Sequence, residues 1–274
     1  MEIQNSCFNC TNNESVLYKE VGKYKVVKCS SCGLVYLDKY PSDLFNFIDD
    51  IENESEEDLE FWSTPDFINK YKSIFDFFME ERGRRLRKCG YSFEGHTLDI
   101  GVGYGLWANF LHQNKLQVRG IDVSKSTVEY CKQEYDFEVE NRSFERFETE
   151  DRYSLISMFD VLEHFEDPVL MMSKVKSMLT DDGFIYIQVP NVLGFKIPRN
   201  HSLGLPYHLW QFDKKRLFRL LEKSGFEVVS YWTGIQGIIG AYEKNEVSIF
   251  TRMKWKISNI LKLGNRIQVI AKLK

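Results

Sequence analysis

No stretch of this chain stays apolar for the ~18–20 residues that a helix needs to cross a bilayer, so a membrane-spanning protein is not expected. The opening residues, MEIQNSCFNC, lack the basic-then-apolar pattern of an export signal, and a cytoplasmic location is the expectation. An excess of positive charge is missing too. The 36 Lys and Arg are outnumbered by 40 Asp and Glu, and a formal net charge of −4 gives no general electrostatic reason to bind nucleic acid. There is no internal repeat and no low-complexity segment. What is present, 43% hydrophobic and 28% charged residues in a chain of 274, suffices for one full-sized globular domain with a small appendage.

Cysteine is scarce, six in all, yet four of the six fall into two pairs. Cys7 and Cys10 (CFNC) and Cys29 and Cys32 (CSSC) are each C-x2-C, with 18 residues between the pairs. In a secreted protein this could be a disulfide framework; in a reducing compartment two such knuckles present four thiolates to one zinc. Gly33 permits the tight backbone of a knuckle, and VLYKEVGKYKVVKC between the pairs reads as short strands around a turn at Gly22. Roughly 35 residues bury too little apolar surface to fold alone, whereas structural zinc contributes on the order of 10–16 kcal/mol. A zinc ribbon over residues 1–40 is therefore expected, in a structural or substrate-lid role, because four thiolates leave no open position for catalysis. Cys89 and Cys131 read as core or helix residues.

Residues 41–95 read as an acidic linker, DDIENESEEDLE, followed by one or two helices. Thr64 and Pro65 mark the helix start, and Phe67, Tyr71, Ile74, Phe75 and Phe78 lie at helical spacing. From residue 96 to 274 strands and helices alternate. HTLDIG, QVRGIDVS, FEVEN, YSLISMF, FIYIQVPN, FEVVSYWTG and RIQVIAKL read as strands. Between them LWANFLHQN, KSTVEYCKQEY, DPVLMMSKVKSMLTDDG (ended by Gly183) and DKKRLFRLLEKSG read as helices. The strands are almost uniformly apolar, which predicts an α/β fold with a doubly wound, mostly parallel seven-stranded sheet covered on both faces.

Ligands of such sheets sit beyond the carboxyl ends of the strands. There the first strand runs into Gly101, Gly103 and Gly105, where bare backbone makes room for a nucleotide-like cofactor. The second strand ends at Asp122, 21 residues after Gly101, where a carboxylate can accept hydrogen bonds from both ribose hydroxyls. The pair admits NAD or S-adenosylmethionine. Position 106 is Leu, so the loop is not the dinucleotide G-x-G-x-x-G. Asp99 beside the loop suits an amino group and a sulfonium better than a pyrophosphate at a helix N-terminus.

At these residues the sequence resembles the Rossmann-like S-adenosylmethionine-dependent methyltransferases. LDIGVGYG is similar to their first motif, GIDVS to the segment after it, FDVLEHFEDP to the end of strand four, and GFIYIQVPN to strand five. The resemblance runs from about Tyr71 to the C-terminus. It is nearest to a bacterial group with an N-terminal C-x2-C…C-x2-C-G module, which includes sugar and small-molecule methyltransferases, and PYHLWQFDKKRLFRLLEKSGFEVV is similar to that group's segment after strand five. The resemblance implies that Asp99, Gly101, Gly103 and Gly105 surround the methionine part of the cofactor. It implies that Asp122 holds the ribose with Val123 against the adenine, that Ser143 and Phe144 line the adenine edge, and that Phe159 contacts the cofactor. Where the family has Asp at the start of strand four, this chain has Tyr153-Ser154.

Alignment of the acceptor supplies most of the rate in a displacement at a sulfonium, and a general base adds to it. The candidates are His164 with Glu163, beyond strand four, and His208 in PYHLWQF among Tyr207, Trp210 and Phe212. Asp160, Glu163 and His164 are similar to the E-x-x-E-H of ubiquinone-biosynthesis O-methyltransferases, which implies Mg²⁺ there. Capping of the following helix is the plainer role of Glu163 and His164. His208 is equally open to a packed, backbone-bonded role, and His201 lies in the same loop. From Thr251 onward seven Lys and Arg occur with no Asp or Glu, among Trp255, Ile257, Ile260 and Leu261. This reads as a packed basic helix, with peripheral contact to an anionic membrane as its other use. The expectation is methyl transfer from S-adenosylmethionine to oxygen, less readily carbon, of a small molecule such as a sugar or nucleotide-sugar. RNA or protein methylation and non-catalytic cofactor binding are the alternatives.

Overall fold

The turn at Gly22, with φ of +57°, folds β2 (Ser15–Val21) back on β3 (Tyr24–Cys29). The computed structural model describes residues 2–10, 14–44, 65–194, 203–234 and 248–274. Upstream lies β1 (Glu2–Gln4); downstream come β4 (Val35–Leu37) beside β3, and β5 (Lys39–Pro41) beside β1. The acidic run and Thr64 fall outside the described residues. Helix α1 begins at Pro65 (Pro65–Lys70) and α2 follows (Lys72–Lys88), with Phe67, Tyr71 and Ile74 buried together as the helical spacing demands.

The strand–helix alternation then appears as β6 (His96–Ile100), α3 (Leu106–Gln113), β7 (Gln117–Asp122), α4 (Lys125–Glu134), β8 (Glu138–Asn141), β9 (Tyr153–Phe159), α5 (Pro168–Met178) and β10 (Leu179–Pro190). After these come β11 (Trp210–Gln211), α6 (Lys214–Lys223), β12 (Phe226–Gly234), α7 (Ile249–Ile260) and β13 (Arg266–Leu273). Side-chain oxygens cap three of the helices. Ser124 accepts from the Thr127 N–H, Asp167 from Val169 and Leu170 with Pro168 in the first turn, and Asp213 from Arg216. One boundary differs from expectation: α5 stops at Met178, five residues before Gly183, because Leu179 already turns to extended backbone (ψ 150°) and pairs with Tyr153.

The seven-stranded sheet has the order β12-β13-β10-β9-β6-β7-β8, parallel among β6 to β10 and antiparallel where β13 pairs with β10 and β12. Its strands bury both faces, alternating residue by residue. Leu155, Phe184 and Tyr186 join Trp107, Phe110, Val128 and Cys131 on the α3 and α4 side. Ile156, Ile185 and Ile187 join Met172, Val175, Leu217 and Leu221 on the α5 and α6 side. Each such fully buried side chain contributes about 1.5–3 kcal/mol. The second face continues without a break into Cys7, Val27, Leu34 and Tyr36 of the N-terminal strands. The join is also a strand pairing: β11 completes a four-stranded sheet of order β11-β4-β3-β2, with Trp210 opposite Tyr36.

Candidate functional site

The first motif lies at the carboxyl ends of β6 and β7, in the middle of the sheet. Gly101, Gly103 and Gly105 all have positive φ (+71°, +51° and +73°), but for different reasons. A Cβ on Gly101 would overlap the Val161 Cγ2 methyl, and one on Gly105 would come within 2.7 Å of the Tyr135 ring. A Cβ on Gly103 would meet nothing within 4 Å. Of the three, only Gly103 borders open space in the Cβ direction, while Gly101 and Gly105 are packed closely against Val161 and Tyr135. The Gly103 N–H donates to Asp122 Oδ2 at 2.8 Å, and the Ser124 N–H donates to Asp122 Oδ1 at 2.9 Å. The loop is pinned from behind by the Cys131 thiol, which donates to the Gly103 carbonyl at 3.2 Å. Val123 lies beside this pair, half-buried, with its carbonyl held by Asn141 Nδ2 at 2.8 Å. Ser143 is half-buried, while Phe144 is core, its ring packed on Phe165 and its face under Lys174.

Asp99 is only 2% exposed and accepts from the Ser157 hydroxyl at 2.6 Å. Burial pushes its carboxyl up to about 7, against the pull of Ser157 and the Arg82 guanidinium. Arg82 escaped the sequence reasoning, since a polar residue on an amphipathic helix looks like surface. From α2 its guanidinium stacks 3.9 Å over the Phe159 ring, and its Nη2 donates to Gln188 Oε1 at 3.2 Å. Phe159 itself stands half-buried with its ring edge-on to Trp107 and Tyr186.

Glu163, His164 and His208 converge, each placing one ligand-capable atom within 4.8 Å of the others. Glu163 is fully buried, and neither carboxylate oxygen accepts a hydrogen bond among the described residues. His208 Nε2 is 4.0 Å from Glu163 Oε1. Burial, with the charge of Asp160 added, raises the Glu163 carboxyl well above the ordinary carboxylate range. The two imidazoles meet edge-to-face, 4.7 Å between centroids. His164 Nδ1 lies 3.1 Å from the Tyr207 carbonyl, which can only accept, so the proton is on Nδ1; burial lowers this imidazole's affinity for a second proton.

Two expectations are corrected here. The cap of α5 is Asp167, not Glu163 or His164. Asp160 does not join Glu163 and His164, because it pairs with Arg266 Nε at 2.8 Å and accepts from Gln188 Nε2 at 2.8 Å. Two imidazoles and one carboxylate are not the oxygen-rich set that Mg²⁺ favours, so the trio does not fit that ion.

The four paired thiols also converge. Sγ separations are 3.7 Å for Cys7–Cys10 and 3.4 Å for both Cys7–Cys32 and Cys10–Cys29, with no disulfide. Tetrahedral zinc with bonds of about 2.3 Å sets its ligands ~3.8 Å apart, so the cluster fits that ion. Burial, countered by the Cys32 and Ser31 N–H groups and the Cys10 thiol, leaves Cys29 at about 6.

A family profile described as "Methyltransferase domain" matches residues 70–231, more than half of the chain. The protein belongs to this methyltransferase family. Among curated relatives, a "Probable S-adenosylmethionine-dependent methyltransferase" of Mycolicibacterium smegmatis is 26% identical over 134 residues, 48% of this chain and 52% of that protein. A "Ubiquinone biosynthesis O-methyltransferase" of Coxiella burnetii is 26% identical over 102 residues, 35% of this chain and 44% of that one. The chain spans about half the length of the curated relatives it matches. Among solved structures, an S-adenosylmethionine-dependent methyltransferase from Archaeoglobus fulgidus superposes with a TM-score of 0.54 at 19% identity, over 76% of this chain and all of that one. Coclaurine N-methyltransferase bound to N-methylheliamine and S-adenosylhomocysteine gives 0.52 at 14%, over 71% and 72%. These likenesses show that the methyltransferase shares the fold of those enzymes.

Proposed function

We propose that the protein transfers a methyl group from S-adenosylmethionine to a hydroxyl oxygen of a small molecule. The observation that carries this is the convergence of Glu163, His164 and His208 next in the chain to Phe159, on the same edge of the sheet as the Gly103–Asp122 pair. The cofactor supplies a methyl group on a sulfonium. Asp122 accepts from the ribose hydroxyls with the lone pairs that Gly103 and Ser124 leave over. Val123 and Ser143 border the adenine, and Arg82 with Asp99 faces the charged ends of the methionine part. His208 takes the proton from the acceptor hydroxyl, with the buried Glu163 carboxyl 4.0 Å from its Nε2. Supporting a small acceptor, a relative is named for O-methylation in ubiquinone biosynthesis. Supporting a sugar or nucleotide-sugar is the resemblance to the group with an N-terminal cysteine module. In this proposal residues 1–40 are a ribbon held by one structural zinc on Cys7, Cys10, Cys29 and Cys32, and residues 96–274 form the catalytic body.

Calorimetry with S-adenosylmethionine followed by a labelled-methyl screen of hydroxylated metabolites tests this. Saturable binding and transfer to a sugar or phenol are expected, and His208→Ala should lower kcat by roughly 10²–10⁴-fold while leaving cofactor affinity unchanged. Binding without transfer to any extract metabolite would leave only a cofactor-binding protein.

A further inference from the structure

Helix α7 is seated the wrong way round for a helix of a water-soluble surface. Its inward side mixes polar groups with one aromatic ring: Ser258 is buried, and Asn259 Oδ1 accepts from the Thr233 N–H at 3.1 Å. The Thr233 hydroxyl donates to the Ser258 carbonyl at 3.2 Å. Trp255 is half-buried among the Phe77 and Phe78 rings of α2, at 5.9 and 6.0 Å. Its outward side is apolar. Ile249, Phe250, Met253, Ile257 and Ile260 repeat at helical spacing, and all are at least half exposed, Phe250 as much as 72%. Leu261 and Leu263 carry the patch past the end of the helix.

The rim of this ridge is basic. At about 100° per residue, Lys254 falls on one flank of the apolar stripe and Arg252 and Lys256 on the other. These three and Lys262 are solvent-exposed. Every one of the forty acidic residues precedes position 247, whereas residues 247–274 carry seven Lys and Arg. Of these seven, Arg252, Lys254, Lys256 and Lys262 lie in or just after α7.

We infer that this face docks on an anionic lipid surface, with α7 lying in the interfacial plane, the apolar side chains in the acyl boundary and the lysines among acidic headgroups. No described helix is long and apolar enough to cross a membrane, so the association is peripheral. A second copy of the chain is a poorer occupant. A two-fold contact would bring Lys254 and Lys256 toward their own counterparts. A convex ridge also needs a complementary groove on a protein partner, but none on a fluid lipid surface. This goes beyond the methyl-transfer proposal and stands without it.

Flotation of the full chain with vesicles of phosphatidylcholine alone or mixed with phosphatidylglycerol tests the inference. The wild type should bind the mixed vesicles and not the neutral ones, less so as salt rises. Phe250→Ser with Ile257→Ser should weaken binding more than about tenfold, and Lys254→Gln with Lys256→Gln on the order of 20-fold. Both are surface changes, so the melting temperature should stay within about 2 °C of wild type. A wild type that floats with neither vesicle overturns the inference, as do variants that float like wild type. A chain that elutes as a dimer and becomes a monomer with the Phe250 and Ile257 changes assigns the face to a second copy, and overturns it too.

Discussion

Asp122 is held by Gly103 across the gap between the first two parallel strands, its Oδ2 receiving the glycine N–H at 2.8 Å while Oδ1 receives that of Ser124 at 2.9 Å. The carboxylate is therefore oriented before any ligand arrives, and two backbone donors are spent on aiming it. Asp122→Ala removes both the aim and the acceptor. The expected outcome is a Kd for S-adenosylmethionine raised on the order of 100-fold, read by calorimetry, with the chain still folded by circular dichroism.

Two glycines of the loop are closely packed and one borders open space, and two substitutions tell them apart. Gly101→Ala drives a methyl into Val161 at a left-handed φ, and should cost about 2–5 kcal/mol in denaturant unfolding. Gly103→Ala meets no atom within 4 Å and should cost only about 1 kcal/mol, the strain of its φ. Cofactor affinity should reverse the ranking of harm, falling at least tenfold for the folded Gly103→Ala protein. Equal stability losses at the two positions would contradict this division.

Asp99 is a stability cost kept at the site. Its folded carboxyl holds a proton up to about pH 7, whereas the unfolded side chain loses it near the ordinary 3.8. Between those values the native state binds more protons, so this group's contribution to stability falls as pH rises. Asp99→Asn keeps an oxygen for the Ser157 hydroxyl and removes the titration. The variant should be more stable than wild type at pH 8 in denaturant unfolding, by no more than about 4 kcal/mol, with the gap closing toward pH 4. The same variant should bind S-adenosylmethionine more weakly, because the ammonium loses its anionic partner. A pH-independent gap would reject burial as the cause.

Removal of zinc should be felt well beyond the four thiols. Arg216 of α6 donates to the Cys32 carbonyl at 2.8 Å through Nε, and Lys223 reaches the Asn9 carbonyl. Metal analysis of anaerobically purified protein should return one zinc per chain. Chelation should lower the melting temperature by about 10 °C or more and expose residues 1–44 to protease. A chain without zinc that melts unchanged in chelator would remove the ribbon as a metal site.

The parts that were legible in the sequence share one property: their signals are local. Strand after strand of Ile, Val and Leu, the glycines after Ile100, the acid ending β7 and the spacing of Cys7, Cys10, Cys29 and Cys32 each fit inside a short window. What could not be read depends on chain folding over long separations. Glu163 and His208 meet across 45 positions, and Asp160 is claimed by Arg266 across 106, which is why the magnesium trio did not form. The Ser154 that stands where the family has Asp donates to the Glu94 carbonyl at 2.7 Å, tying β9 to the turn before β6. The two-residue β11 is too short to show any periodicity, and Arg82 gives no sign of burial until Phe159 is beneath it.

That shortest strand has a mechanical consequence. Trp210 pairs with Tyr36 and sends its indole N–H to the Phe165 carbonyl at 2.7 Å, one residue past His164. His208 sits two positions away on the same segment. The first cysteine knuckle, through Phe8, and the segments that carry both imidazoles are thereby tied to a single tryptophan, so the appendage acts as a splint across the stretch of chain between His164 and His208.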